Sequence, residues 1–125
     1  MVEGVIPEDV KQFILHYIDS IAQLEGLLMC RADPHKEWNA TILARGLFID
    51  ESQTSLLLAR MSEQGFIVAS ANGYRYQPQS PELTAMMERL AELYKSYLVP
   101  ITNLIHAKTK TRIQEFADAF RIRKD

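Results

Sequence analysis

The 125-residue chain has a single cysteine, Cys30, so no disulfide can form within it and no multi-cysteine zinc site is available. With no opposing signal, a reducing compartment is the expected setting. Five glycines and five prolines are too few for collagen-like or Gly/Pro low-complexity character. No uninterrupted apolar stretch approaches the roughly 18 residues of a membrane span. The longest are pieces such as Leu56-Leu57-Leu58-Ala59. The opening Met1-Val2-Glu3-Gly4 has neither the basic region nor the apolar stretch of a signal peptide, so the expectation is a soluble, cytoplasmic protein. The chain is also too short for a Rossmann dehydrogenase, a TIM barrel or a kinase.

Catalytic signatures are equally sparse. There is no Gly-rich phosphate loop, nucleophile elbow or paired-carboxylate motif. His16, His35 and His106 are scattered without a second ligand at helical spacing. Cys30 and His35 are five residues apart across a Pro-containing turn and lack a third partner. Cys30 reads as a small core hydrophobe and His16 as a partly buried structural residue. Neither an enzyme, a metal site nor a cofactor is expected.

What is present suits one globular domain: 47% hydrophobic and 24% charged residues, enough to bury a core unaided. The net charge of -2 conceals a division. From Lys108 onward six basic residues (Lys108, Lys110, Arg112, Arg121, Arg123, Lys124) face three acidic ones (Glu115, Asp118, Asp125), net +3, whereas the first 107 residues carry net -5. Nucleic-acid binding usually leaves a basic footprint, so an acidic body weighs against it.

Periodicity divides the chain into segments. Pro7-Glu8-Asp9 opens a helix, and Val10, Ile14, Tyr17, Ile21, Leu24 and Leu28 predict one amphipathic helix of about five turns, stopped by Asp33-Pro34. Asn39 caps a short helix holding Ile42, Leu43 and Leu47, with Gly46 at its end. Asp50 and Gln53 form a capping-box pattern for a helix reaching about Gln64, with Thr54, Leu57, Leu58 and Met61 inward and Gly65 terminating it. The period then becomes strand-like in Phe66-Ile67-Val68-Ala69-Ser70. Asn72-Gly73 signals a hairpin, and Tyr74-Arg75-Tyr76 returns. Ser80-Pro81-Glu82 starts a long helix with a seam of Leu83, Met87, Leu90, Tyr94, Tyr97, Ile101 and Leu104, kinked at Pro100. Lys108-Thr109-Lys110-Thr111 reads as an exposed linker, followed by a short helix with an Ile113, Phe116, Ala117 and Phe120 stripe.

The predicted fold is mainly α with a small β-hairpin: helices followed by a tight hairpin, the layout of a winged helix-turn-helix, with a long C-terminal dimerisation helix. The expected division is a winged-helix unit over residues 1–79, the long helix over 80–107 and a basic amphipathic tail over 108–125. Over residues 38–77 the sequence resembles bacterial winged-helix regulators, the MarR-like and ArsR-like groups. Asp50 stands as cap, Thr54, Leu58 and Met61 are the buried positions, and Gly65-Phe66-Ile67 enters the wing. Leu43-Ala44 and Leu47 are similar to the motif's first helix.

The resemblance implies a transcriptional regulator binding double-stranded DNA as a homodimer. The helix over residues 51–64 would enter the major groove, leaving Ser52, Gln53, Ser55, Leu56 and Arg60 to meet base edges or phosphates. The wing would offer Asn72, Tyr74 and Arg75. Glu51 would repel phosphate unless it reads a cytosine amino group. A ligand cleft lined by Met29, Trp38, Phe48, Met86 and Tyr94 is a further implication, with ordinary core as its alternative. The seam predicts a dimer interface, or else packing onto the first helix of the same chain. The tail is read three ways: a DNA-contacting arm through Lys108, Lys110 and Arg112, a helix docking in a protein partner through Ile113, Phe116 and Phe120, or a helix packed on its own dimer. The rival to DNA reading is a non-enzymatic protein-interaction module using the long helix and tail.

Overall fold

The structure, a computed structural model, describes residues 6–124, with side chains for residues 6–120. Met1-Val2-Glu3-Gly4 and the side-chain charges at Arg121, Arg123, Lys124 and Asp125 lie outside the described residues. The elements run α1 (Glu8–Tyr17), α2 (Ile21–Ala32), α3 (Ala40–Leu47), α4 (Glu51–Glu63), β1 (Ile67–Ser70), β2 (Gly73–Tyr76), α5 (Pro81–Ser96) and α6 (Leu98–Lys124). The protein is mainly helical with one small antiparallel hairpin. No helix among the described residues is long and apolar enough to cross a membrane.

The single N-terminal helix expected from periodicity is two helices. The chain turns extended at Ile18 and Ser20. Ser20 Oγ accepts the Gln23 N–H at 3.1 Å, and Gln23 Oε1 accepts the Asp19 N–H at 2.6 Å, a reciprocal box that starts α2 afresh. The apolar stripe crosses this break because both helices turn the same side to one core, so period alone does not register the corner.

This corner leaves carbonyls at the end of α1 without helical partners, and side chains from distant elements satisfy them. Tyr17 O accepts from Gln23 Nε2 (3.0 Å) and Gln64 Nε2 (2.8 Å), and the two glutamines bond each other at 2.7 Å. Ile18 O accepts from Lys108 Nζ at 2.7 Å, and Asp19 O from Thr109 Oγ1 at 3.4 Å. The end of α4 and the middle of α6 are thereby fastened to one point.

Asn39 Oδ1 and Asp50 Oδ1 cap α3 and α4 by accepting from Ile42 N–H (2.9 Å) and Gln53 N–H (2.7 Å). Gly46 does not end α3. It lies inside the helix, where a Cβ would meet Met29 Cε at 2.1 Å, so its bareness admits the Met29 side chain. The left-handed C-cap is Phe48 instead (φ 58°, ψ 39°). Thr54, Leu58 and Met61 point into the core as expected, while Leu57 is half-buried.

The hairpin reverses one residue earlier than the Asn72-Gly73 pattern predicts. Ser70 pairs with Gly73, leaving Ala71 and Asn72 as the loop. Gly73 serves a different end: Trp38 bridges to Tyr74 (Trp38 N to Tyr74 O 2.7 Å, Tyr74 N to Trp38 O 2.8 Å), laying a third extended segment against β2. At Gly73, with φ 158°, a Cβ would stand 2.2 Å from Trp38 O. Glu37 Oε2 then ties the loop, accepting from Ser70 Oγ (2.6 Å) and the Asn72 N–H (2.9 Å).

The C-terminal half also departs from expectation. The break falls at Tyr97 (φ -121°, ψ 38°), and Pro100 sits in the first turn of α6, where a missing N–H costs nothing. Residues 108–111 are helical, not a linker. The polarity of Thr109, Lys110 and Thr111 reports exposure, whereas the Lys108 side chain turns inward, and no Gly or Pro there interrupts α6. One apolar cluster extends from Val10 to Ile105, with Phe66 meeting Phe13 and Tyr17 edge-on at centroid distances of 6.1 and 5.6 Å. Leu83, Met87, Leu90 and Ile101 belong to this cluster, so the first two segments expected from sequence share a core, while residues 109–120 stand outside it.

Gly73→Ala is expected to lower unfolding free energy by about 2–3 kcal/mol, since the new methyl must displace the Trp38 backbone. Asn72→Ala, with its backbone bond intact, should cost under about 1 kcal/mol. Urea denaturation of both variants compares them; equal small losses would contradict the assigned register.

Candidate nucleic-acid interface

The outward side of α4 carries Ser52, Gln53, Ser55, Leu56 and Arg60, all exposed. The helix owes this amphipathicity to Thr54, Leu58 and Met61, whose burial fixes which residues remain outside. Leu56 is 72% exposed and, with Gln53, lines a groove of about 390 Å³ shared with Ile49, Leu57, Ser20 and Ala22. It is the wall of an apolar depression and not a lone contact. Asp50 is engaged as a cap, and Glu51 accepts a hydrogen bond from the Thr41 hydroxyl, so two carboxylates stand at the N-terminal end of α4.

Arg60 is committed within the chain, its Nε lying 3.4 Å from Asp19 Oδ2. The same carboxylate meets Lys108 Nζ at 3.2 Å and Arg112 at 3.1 Å. Three cations that lie far apart in sequence, one on α4 and two on α6, therefore converge on one anion. Burial alone would raise the Asp19 carboxyl, but the hydrogen bonds and charges of Lys108 and Arg112 outweigh it and hold the group below its ordinary 3.8. Burial pushes the Lys108 ammonium down from its ordinary value, and Asp19 draws it part of the way back. Its side chain is only 8% exposed.

On the hairpin Arg75 is exposed and Tyr74 half-buried, its backbone paired with Trp38. The Asn72 N–H is occupied by Glu37, whose carboxyl is lowered first by the Ser70 hydroxyl and then by that N–H. Lys36 lies over the Trp38 ring at 4.3 Å. Lys36, Arg75 and Glu37 thus share the hairpin side of the molecule. Asp19, Lys36 and Glu37 were not singled out by sequence. An acid at a helix break and a charged pair before a bridging tryptophan become meaningful only once the long-range pairing is known.

The other expected sites fare differently. In the seam, Leu83, Met87, Leu90 and Ile101 are buried in the chain's own core, and Tyr94, Tyr97 and Leu104 are half-buried against it. This is the intramolecular alternative that the seam left open, packing onto the first helix of the same chain: α5 and early α6 close the core over α1. In the tail, Ile113, Phe116 and Phe120 are 65%, 73% and 54% exposed. The residues suggested for a ligand cleft are dispersed. Trp38 is buried, Phe48 is 93% exposed, and Met86 lines a groove with Phe13, Tyr17 and Leu83. Cys30 is fully buried, and burial pushes its thiol up to about 12, which keeps it protonated. Among the described residues no group of three His, Cys, Asp or Glu side chains is placed to hold a metal ion.

No family model, curated protein or solved structure matches this chain.

Because the Asp19 carboxyl is lowered in the folded state, its stabilisation is present above the ordinary carboxylate value and is lost as pH falls through the folded one. Asp19→Asn should cost about 1–2 kcal/mol at neutral pH. Protonation abolishes the same interactions in the wild type, so the difference in unfolding free energy between the two proteins should narrow below pH 3.8. A gap that stays constant from neutral pH into acid would contradict this.

Proposed function

We propose that the chain is a winged helix-turn-helix DNA-binding protein acting as a transcriptional regulator, with α4 presented to the major groove and the β1–β2 hairpin to the flanking backbone. The observation that carries the reading is the outward side of α4. Short polar side chains at Ser52, Gln53 and Ser55 lie on a rigid helix held by α3 beneath it, and Gly65 joins that helix directly to a hairpin bearing Arg75. Small hydroxyl and amide groups suit base edges and phosphate oxygens, and they permit close approach.

The charge distribution sets what such binding would be like. Asp50 and Glu51 discourage phosphate at the start of α4, and Arg60 is shared with Asp19. On α4 and the hairpin the cations available for backbone contact are Arg75 and, beyond its ion pair, Arg60, with Lys36 beside the hairpin. A few contacts per chain give weak, steeply salt-dependent affinity, and pairing of two chains would double them.

A second reading, a protein-interaction module, is favoured by the apolar residues on distal α6, where Phe116 is 73% and Ile113 65% exposed.

Titration of a duplex from the chain's own upstream region, with salt varied, separates the two. DNA binding predicts a log-log salt dependence that Arg75→Ala flattens by about one unit, as for loss of one phosphate contact. Ser52→Ala and Ser55→Ala would weaken binding to this duplex more than to an unrelated one. Absence of binding at low ionic strength would leave the interaction module as the surviving reading.

A further inference from the structure

We infer that a second copy of this chain covers the distal half of α6, the two helices running antiparallel about a two-fold axis at Ile113. From Thr109 to Phe120 every residue of α6 is exposed, so this half of the helix extends past the body that holds its first half. A helix in water takes most of its stability from packing an apolar face. Here that face includes Ile113 and Phe116, both largely exposed to solvent.

The surface that fits it lies on the same helix. A groove of about 680 Å³ runs between α6 and the start of α2, lined by Ser20, Ile21, Ile105, His106, Thr109 and Ile113 among others. Its lining is predominantly apolar. Ile113 belongs to both features: it ends the groove and begins the stripe. Phe116 and Phe120 lie three and seven residues beyond it, and Lys110 and His106 lie three and seven before it. At 1.5 Å per residue these are about 5 and 10 Å on either side. A two-fold axis through Ile113 therefore sets the aromatic half of each helix along the groove half of the other.

This spacing selects a second copy over other occupants. A lipid surface could cover the stripe but not enter the groove. A second copy brings its own stripe to the groove and its own groove to the stripe, so one axis covers both features on both chains, which is the property of an isologous contact. Covering stripe and groove on both copies removes on the order of 1,200 Å² from water, within the range of specific interfaces. The inference does not rest on DNA binding, and its test is separate from the salt titration.

The experiment uses the full chain. Sedimentation at micromolar concentration should give twice the chain mass of 14.3 kDa. Ile113→Asp and Phe116→Asp should each give the single-chain mass and keep the cooperative unfolding transition of the body, since neither side chain is in the core, with any loss of helical circular dichroism confined to what the distal half of α6 contributes. Val99→Asp, at an exposed apolar position on the first turn of the same helix, should remain dimeric. Under mild oxidation Ile113→Cys should form a disulfide-linked dimer through residue 113, because the axis places the position against itself and Cys30 is buried. Thr111→Cys, on another side of α6, should not. A wild type that stays at 14.3 kDa, an Ile113→Asp variant that keeps the double mass, or equal cross-linking at 111 and 113 would each overturn the inference, as would a monomer that instead adsorbs to anionic phospholipid vesicles.

Discussion

Where α1 stops and α2 begins, the carbonyls of Tyr17, Ile18 and Asp19 have no helical amide to serve them, and the positions of α4 and α6 follow from which side chains reach them. Gln64 comes from the last residue of α4's turn, Lys108 and Thr109 from α6, and Gln23 from α2 itself. An unmet buried carbonyl costs about 1–3 kcal/mol, comparable to a substantial part of a small domain's net stability. The corner is therefore a strong selector of arrangement: the apolar core permits several placements of two amphipathic helices, and the polar bonds leave few. Buried Gln23 exemplifies this, since its amide both donates and accepts and fits only while α1, α2 and α4 keep their places.

The same corner ties the candidate interface to the C-terminal helix. Asp19 holds Arg60 of α4 together with Lys108 and Arg112 of α6, so the one cation on the outward side of α4 is electrostatically coupled to α6 through a shared carboxylate. Lys108 is the member that cannot be spared. Arg60 and Arg112 are 48% and 58% exposed and contribute as surface pairs do, weakly and with salt screening. Lys108 is nearly buried and bonds a backbone carbonyl as well as Asp19. The hairpin depends on a different fastening, the Trp38 bridge and the Glu37 carboxylate at its loop.

Much of the local structure was legible because it is written in short-range chemistry. Asn39, Asp50 and Ser80 cap the helices they were expected to cap, and Thr54, Leu58 and Met61 face inward at the spacing a helix requires. The misreadings share a cause. The α1–α2 break was signalled by Ser20 and Gln23, but the uninterrupted apolar stripe concealed it. The hairpin register follows from Trp38's approach to Gly73, a contact 35 residues long in sequence that no local turn pattern encodes. The seam of Leu83, Met87, Leu90 and Ile101 shows that a heptad spacing declares an apolar face without declaring what covers it. Of the candidate site, the exposure of α4's polar residues was readable from the burial of its stripe. The convergence of Arg60, Lys108 and Arg112 on Asp19 was not, because it joins residues some 90 positions apart.

The most direct test of the account is equilibrium unfolding of Lys108→Met, which keeps the aliphatic stem and removes the ammonium. The account predicts a loss of about 2 kcal/mol, because Ile18 O and the Asp19 carboxylate lose their charged donor where little water reaches. A loss within about 0.5 kcal/mol, the value of an ordinary surface ion pair, would contradict the claim that this corner fixes the arrangement of the helices.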